Sequence, residues 1–154
     1  MEVDAMLCDH AEAVQGKLFV NGGGIDICYT QPTPPHVVNF GVAIIVSVPY
    51  TATNQAHELT VRLVTSDGTA VSPYAPAGID QPSPIEAKLP FNLGRPPMLQ
   101  PGDYQHLPLG VSFLALPLSD LGGYCVEILI DGTEMRRLPF RVMATSPMLQ
   151  TPSS

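Results

Sequence analysis

The sequence predicts an all-β fold, an antiparallel β-sandwich in a single domain over residues 1–145, and three observations carry that prediction. Apolar and polar residues alternate along run after run. The 17 prolines and 13 glycines cluster mainly between those runs, as in "TQPTPPH" and "GRPPMLQPGD". No stretch places its apolar residues at helical spacing, and "PLSDLGG" at 117–123 has room for a single turn at most. Alternation sorts side chains onto two faces only in an extended strand. Proline removes a ladder donor and breaks helix interiors, so it accumulates where strands end.

The N-terminal third opens on "MEVDAMLCDHAEAV" and reaches "GKLFVNGGGIDICYT". Lys17 precedes the triple glycine, and Ile25, Ile27 and Tyr29 then alternate like a strand. A phosphate loop needs the lysine after the glycines and a helix following them. The stretch is therefore expected to be a hairpin with a turn at Gly16, followed by a glycine corner at Gly22 to Gly24. "CDHAE" concentrates Cys8, Asp9, His10 and Glu12, but zinc needs a second ligand cluster. The expected reading is a strand end entering a turn, with the Asp9 side chain bonded to local N–H groups.

From residue 37 the strands follow in order. Val38, Phe40, Val42, Ile44, Val46 and Val48 share one face; Leu59, Val61 and Leu63 form the next set, then Ile85 to Leu93. Leu107, Leu109, Val111 and Phe113 follow, then Tyr124, Val126, Ile128 and Ile130, and last Leu138, Phe140 and Val142. One-sided strands of this kind hide their apolar faces when two sheets pack together. In the last hairpin, a three-residue loop Asp131-Gly132-Thr133 with a glycine-assisted bulge pairs Val126 with Leu138 and Tyr124 with Phe140. That register sets Glu127 opposite Arg137 on the wet face, an ion pair worth about 0.5 kcal/mol. Residues 146–154, "SPMLQTPSS", read as a flexible tail.

Two resemblances add to this. "SDLGGYCVEI" resembles the approach to the penultimate strand of immunoglobulin-like domains, with Asp120, Gly122 and Tyr124 at the pattern positions. The resemblance implies an immunoglobulin-like antiparallel β-sandwich with an additional N-terminal β-hairpin, and a tyrosine hydroxyl bonded back to the upstream turn. It departs from the pattern at the cysteine: Val126 stands in its place, Cys125 comes one residue early and faces outward, and the chain has no Trp. The opening also resembles an uncharacterised family of small, largely actinobacterial proteins. The positions that carry this are Leu7, Cys8, Asp9, Ala11, Gly16, Lys17, Leu18 and Gly22 to Gly24. It implies a bacterial origin and transfers no catalytic residue.

Composition narrows the function. The formal net charge of -7 argues against nucleic acid and against an anionic membrane surface as partners. No apolar run approaches the ~20 residues that span a bilayer. The opening lacks a basic segment followed by an apolar one, and Cys8, Cys28 and Cys125 lack CxxC spacing. Both point to a cytoplasmic protein with reduced thiols. No catalytic motif, metal site or cofactor is expected. The expected function is a non-catalytic protein-interaction or assembly module that binds another protein or a second copy of itself. The candidate surface is Tyr74, Arg95, Met98, Leu99 and Tyr104 on proline-stiffened loops, with Arg136, Arg137 and Arg141 on the last strand. Those arginines otherwise read as a solvated face paired with Glu127 and Glu134. A small-ligand or carbohydrate-binding module is the alternative. An enzyme is the third reading; it needs His10, His36, His57 or His106 to converge with an acid or with Cys8.

Overall fold

The computed structural model describes residues 1–146. The expected tail overlaps this range only at Ser146; residues 147–154 lie outside the described residues. The strands are β1 (Glu2–Cys8), β2 (His10–Val14), β3 (Lys17–Asn21), β4 (Ile27–Thr30), β5 (His36–Pro49), β6 (His57–Thr65), β7 (Glu86–Phe91), β8 (Tyr104–Leu118), β9 (Gly122–Ile130) and β10 (Thr133–Ala144). A three-stranded sheet runs β1-β5-β8, a five-stranded sheet runs β4-β10-β9-β6-β7, and β2-β3 form a separate ribbon. The all-β prediction holds. Antiparallel pairing holds throughout the described residues except between β4 and β10, which run parallel.

The two larger sheets share one core. The inward set of β5, from Val38 to Val48, is at most 1 % exposed, and it meets Leu59, Val61, Val126 and Ile128 from the opposite sheet. Phe40 ties the layers together, with its ring 5.1 Å from Phe113 and 5.2 Å from Phe140. In immunoglobulin domains the two sheets carry strands ABED and CFG. Here β1, β5 and β8 share one sheet, and β6, β9 and β10 share the other. The Tyr124 hydroxyl donates to the Asp120 carbonyl at 2.6 Å, the upstream bond that the resemblance implies.

The opening glycines form a corner, as predicted. Gln15 and Gly16, both at positive φ, make the two-residue turn of the ribbon. After the ribbon, the N–H groups of Gly24 and Ile25 donate to the Leu7 carbonyl at 2.8 and 3.2 Å, which returns the chain to where it left β1. The turn at Asp9 differs from expectation. Its backbone N–H, rather than its carboxylate, makes the bonds, to Asn21 and Gly22 carbonyls at 3.0 and 3.2 Å. The ribbon lies on the outer face of the three-stranded sheet, where Ala11 packs with Cys8 and Ala43. Backbone touches backbone here: a Cβ on Gly110 would sit 2.2 Å from the Ala11 carbonyl oxygen.

The last hairpin has the predicted register and a different loop. Val126 faces Leu138, Tyr124 faces Phe140 and Glu127 faces Arg137. Ile130 pairs with Thr133, however, so the loop is Asp131-Gly132 alone, both residues at positive φ. A bulge between Glu134 and Arg136 absorbs the extra residue, and Met135 packs against the core. The wet-face expectation for Glu127 is corrected too: its side chain is 5 % exposed beneath two arginines. Cys125 faces outward from the core yet is buried, in register between Pro139 and Val64.

Candidate functional site

One end of the sandwich gathers the turn from β5 to β6, the loop from β7 to β8 and the β9–β10 turn. Pro49 ends β5, and a 3-10 turn follows at Tyr50–Ala52. Thr53 closes it, with its hydroxyl donating to the Tyr50 carbonyl at 2.7 Å. Arg95 reaches across from the neighbouring loop: Nε donates to Thr53 Oγ1 at 2.8 Å and Nη2 to the Tyr50 carbonyl at 2.8 Å. Its guanidinium lies 3.8 Å from the centre of the Tyr50 ring, a cation–π contact.

The rest of that loop is tied down in the same way. Asn54 N–H donates to the Leu93 carbonyl at 2.7 Å, and Gln105 Nε2 to the Gly94 carbonyl at 2.6 Å. Leu99 N–H bonds to Pro96, and Asp103 accepts from the Gln100 N–H at 2.9 Å through its carboxylate. On this anchored frame Met98 is 85 % exposed and Tyr104 is 49 % exposed, while Leu99 is half-buried. A loop that is ordered yet turns a methionine to solvent has already lost the entropy that binding would otherwise cost.

Beside it, His57 bridges two turns. Nδ1 is 2.7 Å from Asp131 Oδ2 and Nε2 is 2.9 Å from the Ala52 carbonyl. A carboxylate and a carbonyl both accept, so the ring donates from both nitrogens and is held as an imidazolium. Burial pulls its pKa down, but the bonds to Asp131 and Ala52 and the Asp131 charge outweigh burial and raise it. The Asp131 carboxyl is held below its usual value, first by His57 and then by the Glu58 N–H.

The remaining predicted residues lie elsewhere. Tyr74 is at the opposite end, its N–H donating to Pro117 at 2.9 Å. There the 66–85 loop encloses a cleft of about 450 Å³ lined by Thr65, Thr69, Val71, Gln81, Asp120 and Tyr124 among others. The three arginines of β10 do not share a face. Arg137 donates to Glu127 Oε1 at 2.7 Å and to Glu134 at 3.0 Å, while Arg62 donates to Glu127 Oε2 at 2.7 Å. Arg136 pairs with Ile128 in register, so the bulge puts it on the core-facing side with Leu138, at the rim. Arg141 stands beside Ile27 of β4. Only Arg95, Met98, Leu99 and Tyr104 come together.

The histidines are dispersed. The ring of His36 bonds the Gln31 carbonyl at 2.9 Å, that of His106 bonds Ser47 Oγ at 3.1 Å, and His10 lies 4.0 Å from Glu12. Cys8, Cys28 and Cys125 are free and buried, and burial is the main force raising their pKa values. Among the described residues no group of three His, Cys, Asp or Glu is placed to hold a metal ion. No helix among them is long and apolar enough to cross a membrane. Sequence reasoning missed the His57–Asp131 bridge and the Ser47–His106 pair, whose members lie 74 and 59 residues apart.

Residues 3–143 match DUF6941, a family of unknown function. Comparison with curated proteins finds no match.

Proposed function

The chain belongs to this family of unknown function, and from that premise we propose that it is a non-catalytic interaction module. Its 92–104 loop docks into an apolar depression on another protein. The observation that carries this is Met98, solvent-exposed on a loop fastened to Tyr50 and Thr53 through the Arg95 side chain and to Asn54 through the Leu93 carbonyl. Tyr104 extends the apolar surface and Arg95 gives it a cationic rim. Full burial of a methionine contributes about 2 kcal/mol, a factor of about 30 in affinity. We place the protein in a bacterial cytoplasm, on the opening signature and the three unpaired thiols.

The test is affinity capture from host lysate with wild type and Met98→Asp side by side, eluates weighed under native conditions. A stoichiometric second protein held by wild type and lost by the variant, at unchanged melting temperature, supports the reading. Equal retention by both removes Met98 from the interface. The cleft at the opposite end favours a second reading, a small-ligand or carbohydrate site, because hydroxyl, amide and carboxylate groups converge there under a loop.

A further inference from the structure

A second, smaller crevice of about 270 Å³ opens where the β2–β3 ribbon meets the three-stranded sheet. It exists because the ribbon is seated unevenly. β2 carries the buried Ala11 and packs closely along the sheet, whereas β3 stands further off and leaves Leu18 and Val20 half-buried. Those two side chains form one wall and Met6 another, over a floor of Ala43 and Ile45. An apolar slot of this size suits one amino-acid side chain rather than a drug-sized molecule.

Two opposite charges line the same slot, Asp4 on β1 and Arg136 on β10. Both are exposed, and they do not pair: no ion pair within 4.0 Å joins them, and neither side chain makes a hydrogen bond among the described residues. The other basic side chains near carboxylates behave differently. Arg62 and Arg137 are committed to Glu127, and Lys88 sits between Glu58 and Glu86. The bulge at Glu134/Arg136 is what brings Arg136 to this side, since without it the residue in register with Ile128 would be Met135. Bulges re-aim side chains in this way.

An unpaired cation and an unpaired anion held apart across an apolar slot are the complement of a zwitterion with an apolar side chain. We propose that this crevice binds a free apolar α-amino acid of the leucine or methionine class. The ligand carboxylate takes the Arg136 guanidinium, whose fork matches it in a bidentate arrangement. Its ammonium takes Asp4, and its side chain lies against Met6, Leu18, Val20 and Ile45. Because both charges are solvated, their contribution is modest and the dissociation constant falls on the order of 1 mM.

Titration of labelled protein with L-leucine, followed by backbone amide NMR, tests this directly. Saturable shifts at Met6, Leu18, Val20 and Ile45 are expected. Leucinamide, which lacks the carboxylate, and 4-methylpentanoate, which lacks the ammonium, should each bind roughly tenfold more weakly. Leucinamide also stands in for the N-terminus of a peptide, so binding equal to that of leucine would replace the free amino acid with a chain end and overturn the proposal. Arg136→Gln and Asp4→Asn are surface changes that leave the fold intact; each should weaken leucine binding to the level of the matching analogue. Absence of saturable shifts, or unchanged affinity in both variants, overturns the assignment.

Discussion

Gly110→Ala probes the seat of the β2–β3 ribbon. The added methyl would lie 2.2 Å from the Ala11 carbonyl oxygen, and contacts under 3.0 Å are essentially never seen for a Cβ, so the ribbon must retreat by roughly 0.8 Å. The obstacle is backbone, which cannot swing aside as a side chain would. Overpacking of a tight contact costs about 1–3 kcal/mol. The ribbon can escape by lifting, which caps the cost at the burial it surrenders. Ala11 is worth about 0.8 kcal/mol, and half-buried Leu18 and Val20 about 1 kcal/mol each. A loss of about 2 kcal/mol, or about 4–8 °C in Tm for a chain of this size, is therefore expected. Lifting also has a chemical signature, because the Cys8 thiol, 0 % exposed in wild type, lies under the ribbon. Alkylation followed by peptide mass spectrometry should show Cys8 modified faster in the variant while Cys28 and Cys125 keep their wild-type rates. Stability within 0.5 kcal/mol of wild type together with an unreactive Cys8 would refute the reasoning.

Glu127→Gln removes the charge shared by Arg62 and Arg137 and turns an amide N–H₂ toward one of them. Because the arginine side chains are 44 % and 45 % exposed and can be rehydrated, the loss in urea unfolding should be about 2 kcal/mol rather than the larger cost of an orphaned buried charge. Glu127→Leu, which needs no partner, should be less damaging than the Gln variant, and the reverse order would discount the ion cluster. The His57–Asp131 bridge makes stability depend on pH. His57 titrates above 6.5 when folded, so its contribution is complete below pH 6.5 and is lost as pH rises through the folded value. Asp131 titrates below 3.8, so its contribution is present above that pH and is lost as pH falls through the folded value. Between pH 6 and 8 wild type should lose stability that His57→Gln does not, and parallel profiles would argue against the imidazolium. Tyr124→Phe deletes the bond to Asp120 and leaves a carbonyl short of a donor, with an expected cost of about 1 kcal/mol by chemical denaturation. No change in the midpoint would show that water replaces the hydroxyl.

Most strands of the two larger sheets were legible because each turns an apolar face to the shared core, and alternation records this directly. The register of β9 on β10 was legible too, since only one pairing keeps Leu138 and Phe140 on the apolar side. How the chain reaches that register was not. A bulge on β10 and a longer loop give the same pairing from Arg136 onward, Ile128 with Arg136 and Val126 with Leu138, so the alternation of the two strands does not distinguish them. Glu127 was misread because its burial comes from the side chains of flanking strands, which a single strand does not display. The end loop announced itself by apolar residues among prolines. Its separation from Tyr74 did not, because the two loops belong to opposite ends of strands whose order in the sheet is set by long-range pairing.

The division of the first thirty residues among two sheets and a ribbon has a consequence for synthesis. β1 finds its partner as soon as β5 emerges, but among the described residues β4 pairs only with β10, and Thr145 N–H bonds the Thr30 carbonyl over a sequence separation of 115. Until β10 leaves the ribosome, the edge of β4 is an unpaired strand on a nascent chain, open to any neighbour. Pairings this distant in sequence are slow to close. The edge of the five-stranded sheet at β4 is therefore completed only once β10 has emerged from the ribosome, and a chain shortened within β10 leaves that edge open.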